Sequence, residues 1–156
     1  MHFVVGFQFS QDLARLALVK KNRPVWQAGL WNGIGGHVER DETPSEAMVR
    51  EYAEETGVPQ GGIAWRPFAN LVTWTGNLVS FFLSRTDQVE LVSTQDEEVR
   101  VFDLSSLPME RLVPNVPWLT ALALSTLTER VGGNGRKPSD MYVITEVSPS
   151  SFEGRA

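Results

Sequence analysis

Residues 43 to 57, TPSEAMVREYAEETG, carry a full set of helix boundary signals around a charge pattern that a helix resists. Thr43 can act as N-cap, Pro44 suits the first helical position, Glu46 completes a capping box, and Gly57 supplies the stop. These signals predict a helix at about 44–56. Inside it, Glu51, Glu54 and Glu55 lie three and four residues apart, where like charges repel by a few tenths of a kcal/mol per pair. They crowd the carboxyl end, where acidic side chains oppose the macrodipole. At ~100° per residue, Ala47, Glu51, Glu54 and Glu55 fall within an arc of about 100°. Met48, Val49, Tyr52, Ala53 and Thr56 take most of the other side, so the helix is amphipathic. Ala47 is small and leaves room for a group to approach the carboxylates. Two readings follow, a solvated acidic face or a cation site. Hard oxygen ligands at this spacing suit Mg²⁺ or Mn²⁺, which keep waters and share phosphate oxygens with a substrate.

The preceding stretch, NGIGGHVERDE, places three glycines where backbone must turn sharply or approach a ligand closely. A glycine-rich turn feeding a helix can cradle phosphate. It is no Walker loop, since GK[ST] is absent, and no G-x-G-x-x-G fingerprint precedes the helix.

Together, Gly36, Glu42, Arg50, Glu51, Tyr52, Ala53, Glu54, Glu55, Thr56, Gly57 and Val58 resemble the Nudix box, G-x5-E-x7-R-E-U-x-E-E-x-G-U with U aliphatic. All invariant letters stand at the right spacing, and Tyr52 in the first aliphatic slot is the one departure. Tyr52 lies on the apolar face and reads as a packing change. The resemblance implies an α/β/α sandwich with a mixed β-sheet and hydrolysis of a nucleoside diphosphate linked to another group, with Mg²⁺ or Mn²⁺ as cofactor. By similarity, Glu54 and Glu55 are the principal metal ligands, Glu51 a further ligand or the base, and the Gly35 carbonyl an additional ligand. Arg50 would hold the glutamates in place, and Glu42 would act from the loop end of the motif. A later carboxylate, Glu97 or Glu98 in QDEEVRVFDL, is the other source of a ligand or base, with Glu98 aligning better.

Composition fits this cofactor. A net charge of -5 disfavours nucleic-acid polymers, membrane surfaces and other polyanionic partners unless metal ions intervene. There is no cysteine, which excludes disulfides, thiolate zinc sites and cysteine nucleophiles and fits a cytoplasmic setting. MHFVVGFQFSQD has no basic leader and reads as a strand rather than a signal peptide. At 156 residues the chain can bury roughly 70% of its unfolded surface as one domain.

Around the box, Phe3 to Phe9, Ala14 to Lys20, Ile63 to Trp74, Leu78 to Arg85 and Glu98 to Leu104 read as strands, and Trp118 to Arg130 as a helix. KNRPVWQAGLWNGIGG reads as loop. Residues 1–131 form the expected Nudix core. Residues 132–156 form an extension, with GGNGRKPSD as connection, a last strand at about 141–147, and PSSFEGRA as a frayed tail.

Two segments further resemble the MutT-type branch, which hydrolyses oxidised purine nucleoside triphosphates to monophosphate and pyrophosphate. LWNGIGGHVE implies Asn32 at the base, beside Trp31 and with Gly35 and Gly36 against the substrate, and LVPNVPWLTALAL implies Asn115 as a second reader of the purine. An asparagine amide both donates and accepts. A buried polar group left unpaired costs about 1–3 kcal/mol, enough to separate an 8-oxopurine from its normal form. Trp26, Trp31 and Phe7 are base-stacking candidates as well as core candidates, and His37 is a phosphate contact or a surface residue. The partner is thus a nucleotide, handled by a monomer or homodimer. Nucleotide sugars or ADP-ribose are the alternative substrates, and a non-catalytic nucleotide sensor the alternative class.

Overall fold

The computed structural model describes residues 1–59, 62–86, 97–128 and 141–146. In chain order these form β1 (His2–Phe9), β2 (Arg15–Lys20), β3 (Trp31–Asn32), α1 (Pro44–Thr56), β4 (Arg66–Val72), β5 (Leu78–Arg85), β6 (Glu98–Asp103), α2 (Val116–Thr128) and β7 (Tyr142–Thr145). The strands make one mixed sheet. β1 runs parallel to β5 from His2↔Leu78 to Phe9↔Arg85, β5 is antiparallel to β4, and β4 is parallel to β7.

On its other edge β1 meets β2 only at Gln8↔Ala17 and Phe9↔Leu16. Beyond that point the two strands part. β2 continues with β3 through Val19↔Asn32 and Lys20↔Trp31, while β6 covers the opposite edge of β2 from Arg15↔Asp103 to Lys20↔Glu98. The edge of β1 that β2 leaves is taken by the glycine loop, with Gly6 N–H donating to the Ile34 carbonyl at 2.7 Å and Val4 N–H to the Gly36 carbonyl at 2.9 Å. This close approach needs glycine at 35. Its φ is +147°, and a Cβ there would stand 2.2 Å from the Val4 carbonyl oxygen. The loop therefore crosses from one half of the sheet to the other, with its Ile34 and Gly36 carbonyls on β1 and the Gly35 N–H and His37 carbonyl turned toward Glu55 and Arg50 of α1.

Strand alternation divides the core into two layers. Phe7, Phe9, Leu16, Leu18, Phe81 and Leu83 point to the face covered by Val116, Leu119 and Ala123 of α2. Val4, Ala17, Val19 and Phe82 point to the face covered by Ala47, Met48 and Tyr52 of α1. A helix on each side of a mixed sheet is the expected sandwich. Each fully buried Phe or Leu contributes about 1.5–3 kcal/mol of transfer free energy, so both helices are docked by their apolar stripes.

The bounds of α1 agree with the expectation, and four expectations need correction. Ala47 is fully buried in the α1 core layer, so it leaves no approach to the carboxylates. α2 begins at Val116 rather than Trp118, because Pro117 in the first turn gives up an N–H that has no intrahelical partner anyway. β4 begins at Arg66 rather than Ile63, which packs beside the α1 layer. The segment expected as unbroken loop holds a 3₁₀ turn at Val25–Gln27 and the short β3. The connection at 132–140, the tail at 149–156 and the expected helix end at Arg130 lie outside the described residues. Among the described residues, no helix is long and apolar enough to cross a membrane.

Candidate active site

The site starts from how α1 is fixed at both ends. Thr43 Oγ1 accepts from Glu46 N–H at 3.3 Å, and the Glu46 carboxylate accepts from Thr43 N–H at 2.8 Å. Gly57 ends the helix in the left-handed region with φ 70°, its N–H donating to the Ala53 carbonyl. Tyr52 is buried with its ring edge on Trp65 and its hydroxyl donating to Gln8 Oε1 at 2.6 Å. The aromatic departure from the motif is thus absorbed in packing, and the opposite side of the helix turns toward the glycine loop.

On that side one arginine gathers three glutamates. The Arg50 guanidinium donates from Nε and Nη2 to the two Glu42 oxygens at 2.8 and 2.9 Å. It donates from Nη1 to Glu51 at 2.9 Å and Glu54 at 3.2 Å, and from Nη2 to the His37 carbonyl at 2.9 Å. The planar fork suits this bidentate pairing. Its hydrogen bond holds the Glu42 carboxyl below the usual range against the opposing pull of burial, helped by the Glu39 N–H. Gly36 lets Glu51 lie flat on the loop, since a Cβ there would stand 2.5 Å from Glu51 Oε1.

Glu55 is held elsewhere. It is buried, with Oε2 accepting from Gly35 N–H at 3.1 Å and Oε1 accepting from Lys21 Nζ at 3.2 Å. Lys21 also donates to Glu97 Oε2 at 2.5 Å, and its Nζ stands 3.5 Å from the Gly35 carbonyl oxygen. The other Glu97 oxygen accepts from Asn22 N–H at 2.7 Å. Burial pushes the Glu55 carboxyl up to about 7, with the Lys21 charge opposing and Glu97 reinforcing the rise. Burial works against the Lys21 charge too, but Glu55 and Glu97 outweigh it and raise the ammonium above its ordinary value.

Repulsion on the acidic turn is therefore relieved inside the protein by two cations, each serving a different set of carboxylates. Glu42, Glu51, Glu54, Glu55 and Glu97 still outnumber Arg50 and Lys21, so the site keeps an excess of negative charge. Among the described residues, no three histidine or acidic side chains converge as a ready-made metal cluster. The donors nevertheless fit a hard divalent cation. The Gly35 carbonyl and Glu55 and Glu97 carboxylate oxygens already surround a positive charge, and the Glu51 carboxylate lies against the next residue of the same loop.

Glu98, the better-aligned late carboxylate in sequence, is not in this group. It opens β6 opposite Lys20, pairs with Lys20 at 3.8 Å and with Arg100, and is half-exposed. Glu97 stands just before β6 and turns in instead, its two oxygens taken by Lys21 and the Asn22 N–H. Lys21 and Glu97 complete the site, and Lys21 was missed. The one signal for it was charge complementarity between KK at 20–21 and EE at 97–98, which acquires meaning only once β2 and β6 pair.

The base-side residues divide similarly. Trp31 and Leu112 form a parallel bridge, and Val113 N–H donates to the Trp31 carbonyl at 2.9 Å, so the segments bearing Asn32 and Asn115 run side by side. Asn32 is buried, its Nδ2 donating to Gln27 Oε1 and its Oδ1 accepting from Gly33 N–H. Asn115 Oδ1 is buried with no hydrogen-bond donor among the described residues. Trp31 and Phe7 are not stacking surfaces. Trp31 is buried edge-on against Phe102 under the Arg100 guanidinium, and Phe7 packs on Phe68 and Phe81 in the core. Trp26 is 63% exposed, and the His37 ring lies on Phe3.

Residues 4–122 match the NUDIX domain. The chain belongs to the Nudix family. In sequence it is 56% identical over 32 residues to the CTP pyrophosphohydrolase of Escherichia coli K12. That stretch covers 20% of this chain and 24% of the relative's length. In structure it is similar to MutT, from a study of the Aliivibrio salmonicida and Vibrio cholerae proteins, with TM-score 0.61 and 22% identity, covering 79% of this chain and 95% of the other. It is also similar to a bifunctional NMN adenylyltransferase/ADP ribose pyrophosphatase of Francisella tularensis, in complex with AMP and a manganese ion. There the TM-score is 0.62 at 18% identity, covering 80% of this chain and 41% of the other.

Proposed function

We propose that this protein hydrolyses the diphosphate linkage of a nucleotide, most simply a purine nucleoside triphosphate, to the monophosphate and pyrophosphate. The observation that carries this reading is the acidic site itself. Its carboxylates gather on Arg50 and Lys21 beside the glycine loop and remain in excess over those two cations. A pyrophosphate would be repelled by such a site alone, so binding the substrate would call for a divalent cation. Glu51, Glu54, Glu55, Glu97 and the Gly35 carbonyl would hold that cation, which when bound neutralises the phosphate charge and polarises the attacked bond.

The protein's own part is positional and protolytic. Arg50 keeps Glu51 and Glu54 at fixed separation, and the missing side chain at Gly36 leaves room for the Glu51 carboxylate against the loop. Glu51 or Glu97 accepts the proton of the attacking water. On the base side, Asn115 Oδ1 is an acceptor with no donor among the described residues, and Asn32 lies on the neighbouring strand. A purine edge that donates to Asn115 would satisfy it, and an 8-oxopurine, with a protonated N7, offers one more donor than its normal form. Residues 1–131 would carry this activity, with 132–156 as an extension to it.

The test is release of the nucleoside monophosphate with Mg²⁺ from 8-oxo-dGTP, dGTP, dATP, CTP, a nucleotide sugar and ADP-ribose, with pyrophosphate as the second product from the triphosphates alone. Selectivity for the 8-oxopurine is the expected result. Preference for CTP would overturn the purine assignment, and preference for ADP-ribose the triphosphate assignment, each leaving the hydrolase. Glu54→Gln should retain the fold by circular dichroism and lose turnover by about 10²–10⁴-fold, the scale for removing a group that acts at the reacting centre. Full turnover in that variant would overturn the site.

A further inference from the structure

Lys21 has no part in the reaction as proposed, yet it occupies the middle of the site. Its ammonium has three donors, and three oxygens lie around it: Glu55 Oε1 at 3.2 Å, Glu97 Oε2 at 2.5 Å and the Gly35 carbonyl at 3.5 Å. Both carboxylates are anchored on their far side by backbone. Glu55 Oε2 is held by Gly35 N–H and Glu97 Oε1 by Asn22 N–H, so each presents its second oxygen to the same point whether or not the lysine is there. The lysine side chain is 14% exposed, on a flexible four-carbon stem that can withdraw without moving the backbone. The pocket is therefore built by backbone hydrogen bonds, and the ammonium is its occupant.

We propose that Lys21 is a resident surrogate cation, holding the Glu55–Glu97–Gly35 oxygens in the metal-free protein and giving them up when a divalent cation binds. This rests on the metal reading of the site given above. It adds that lysine and metal compete for one set of oxygens. Without nucleotide the cation must displace a charged, well-bonded group, so its affinity is held down. A divalent ion attracts the same carboxylates about twice as strongly as an ammonium at equal distance, which makes the exchange feasible. The acidic cradle then never stands without a cation.

Two measurements test the exchange in the full chain without nucleotide. The first is Mn²⁺ binding, read from loss of the free-ion EPR signal, in the wild type, Lys21→Met and Lys21→Gln. Both variants should bind Mn²⁺ about tenfold more tightly than the wild type, the scale of one charge-assisted contact removed from the competition. Their metal-free melting temperatures should fall and be restored by Mn²⁺. The second needs no variant. The ¹⁵Nζ resonance of Lys21, protected from exchange in the metal-free protein, should lose that protection as Mg²⁺ saturates the site. Wild-type binding of Mn²⁺ with equal affinity in both variants, or a Lys21 resonance unchanged at Mg²⁺ saturation, overturns the exchange and leaves the metal site standing. If neither wild type nor variants bind Mn²⁺, and Mg²⁺ leaves the resonance untouched, the metal reading fails and the exchange with it.

Discussion

The two cations of the site organise their carboxylates in opposite ways. Arg50 works locally, reaching Glu42, Glu51, Glu54 and the His37 carbonyl, all within 13 residues of it in sequence. Lys21 works at long range, joining Glu55, 34 residues away, and Glu97, 76 residues away. The arginine cluster is a property of one helix and the loop before it. The lysine cluster exists only because β2 pairs with β6 and the glycine loop lies on β1. A local clamp forms with its helix, whereas the long-range one reports whether the sheet has closed correctly.

The largest test of this contrast is at the loop that both clusters share. Gly35→Ala would put a Cβ 2.2 Å from the Val4 carbonyl oxygen at a φ of +147°, against backbone that cannot give way. A loss of about 1–3 kcal/mol is expected from the strained conformation alone, read by urea denaturation. Lysine-side order should go first, seen as lost protection of the backbone amide at position 35. Intact stability in this variant would break the link between the loop and the long-range cluster.

Arg50→Lys tests the local clamp at intermediate size. A lysine keeps the charge but cannot span both Glu42 oxygens while reaching Glu51 and Glu54. Stability should fall by about 1–2 kcal/mol, and the Glu55–Lys21 pair, measured by the Lys21 ammonium resonance, should stay in place. Simultaneous loss of that resonance would show the two clusters to be one.

The smallest effect is in pH, and here the halves should have opposite signs. Glu42 is held below its ordinary 4.5 by Arg50, so its contribution is present above that value and lost as pH falls through the lower folded value. Glu55 is raised from 4.5 to about 7, chiefly by burial, so the folded state binds its proton more tightly. Its contribution therefore declines as pH rises from about 4.5 to 7. Melting temperature against pH, without metal, should show Glu42→Gln flattening the acid limb and Glu55→Gln flattening the fall toward neutrality. The same sign in both variants would remove the contrast.

Much of this site was legible before folding, and unevenly so. α1 runs from Pro44 to Thr56 as its capping box, proline and glycine require, because caps act within one turn of the chain. Tyr52 read correctly as packing, since helical periodicity alone puts it on the buried face. Ala47 read incorrectly, because periodicity gives direction around the helix but not how far the core extends along it. The sequence preference for Glu98 over Glu97 did not anticipate which of the two lies beside Lys21 and Glu55, for a related reason. Where β6 begins, and hence which of these carboxylates pairs with Lys20 on the strand and which stays just before it, depends on the pairing with β2. Trp31 and Phe7 look alike as stacking surfaces in sequence, and only their neighbours show both to be core.

By itself, the sequence of this protein determined the elements whose causes are local: the capped acidic helix, its arginine, the glycines before it and the alternating strands. Tertiary structure decided which charges meet. Lys21, Glu55 and Glu97 were present all along, but an ion pair has no sequence period, and only the folded sheet brings an ammonium within hydrogen-bonding distance of carboxylates so far away along the chain.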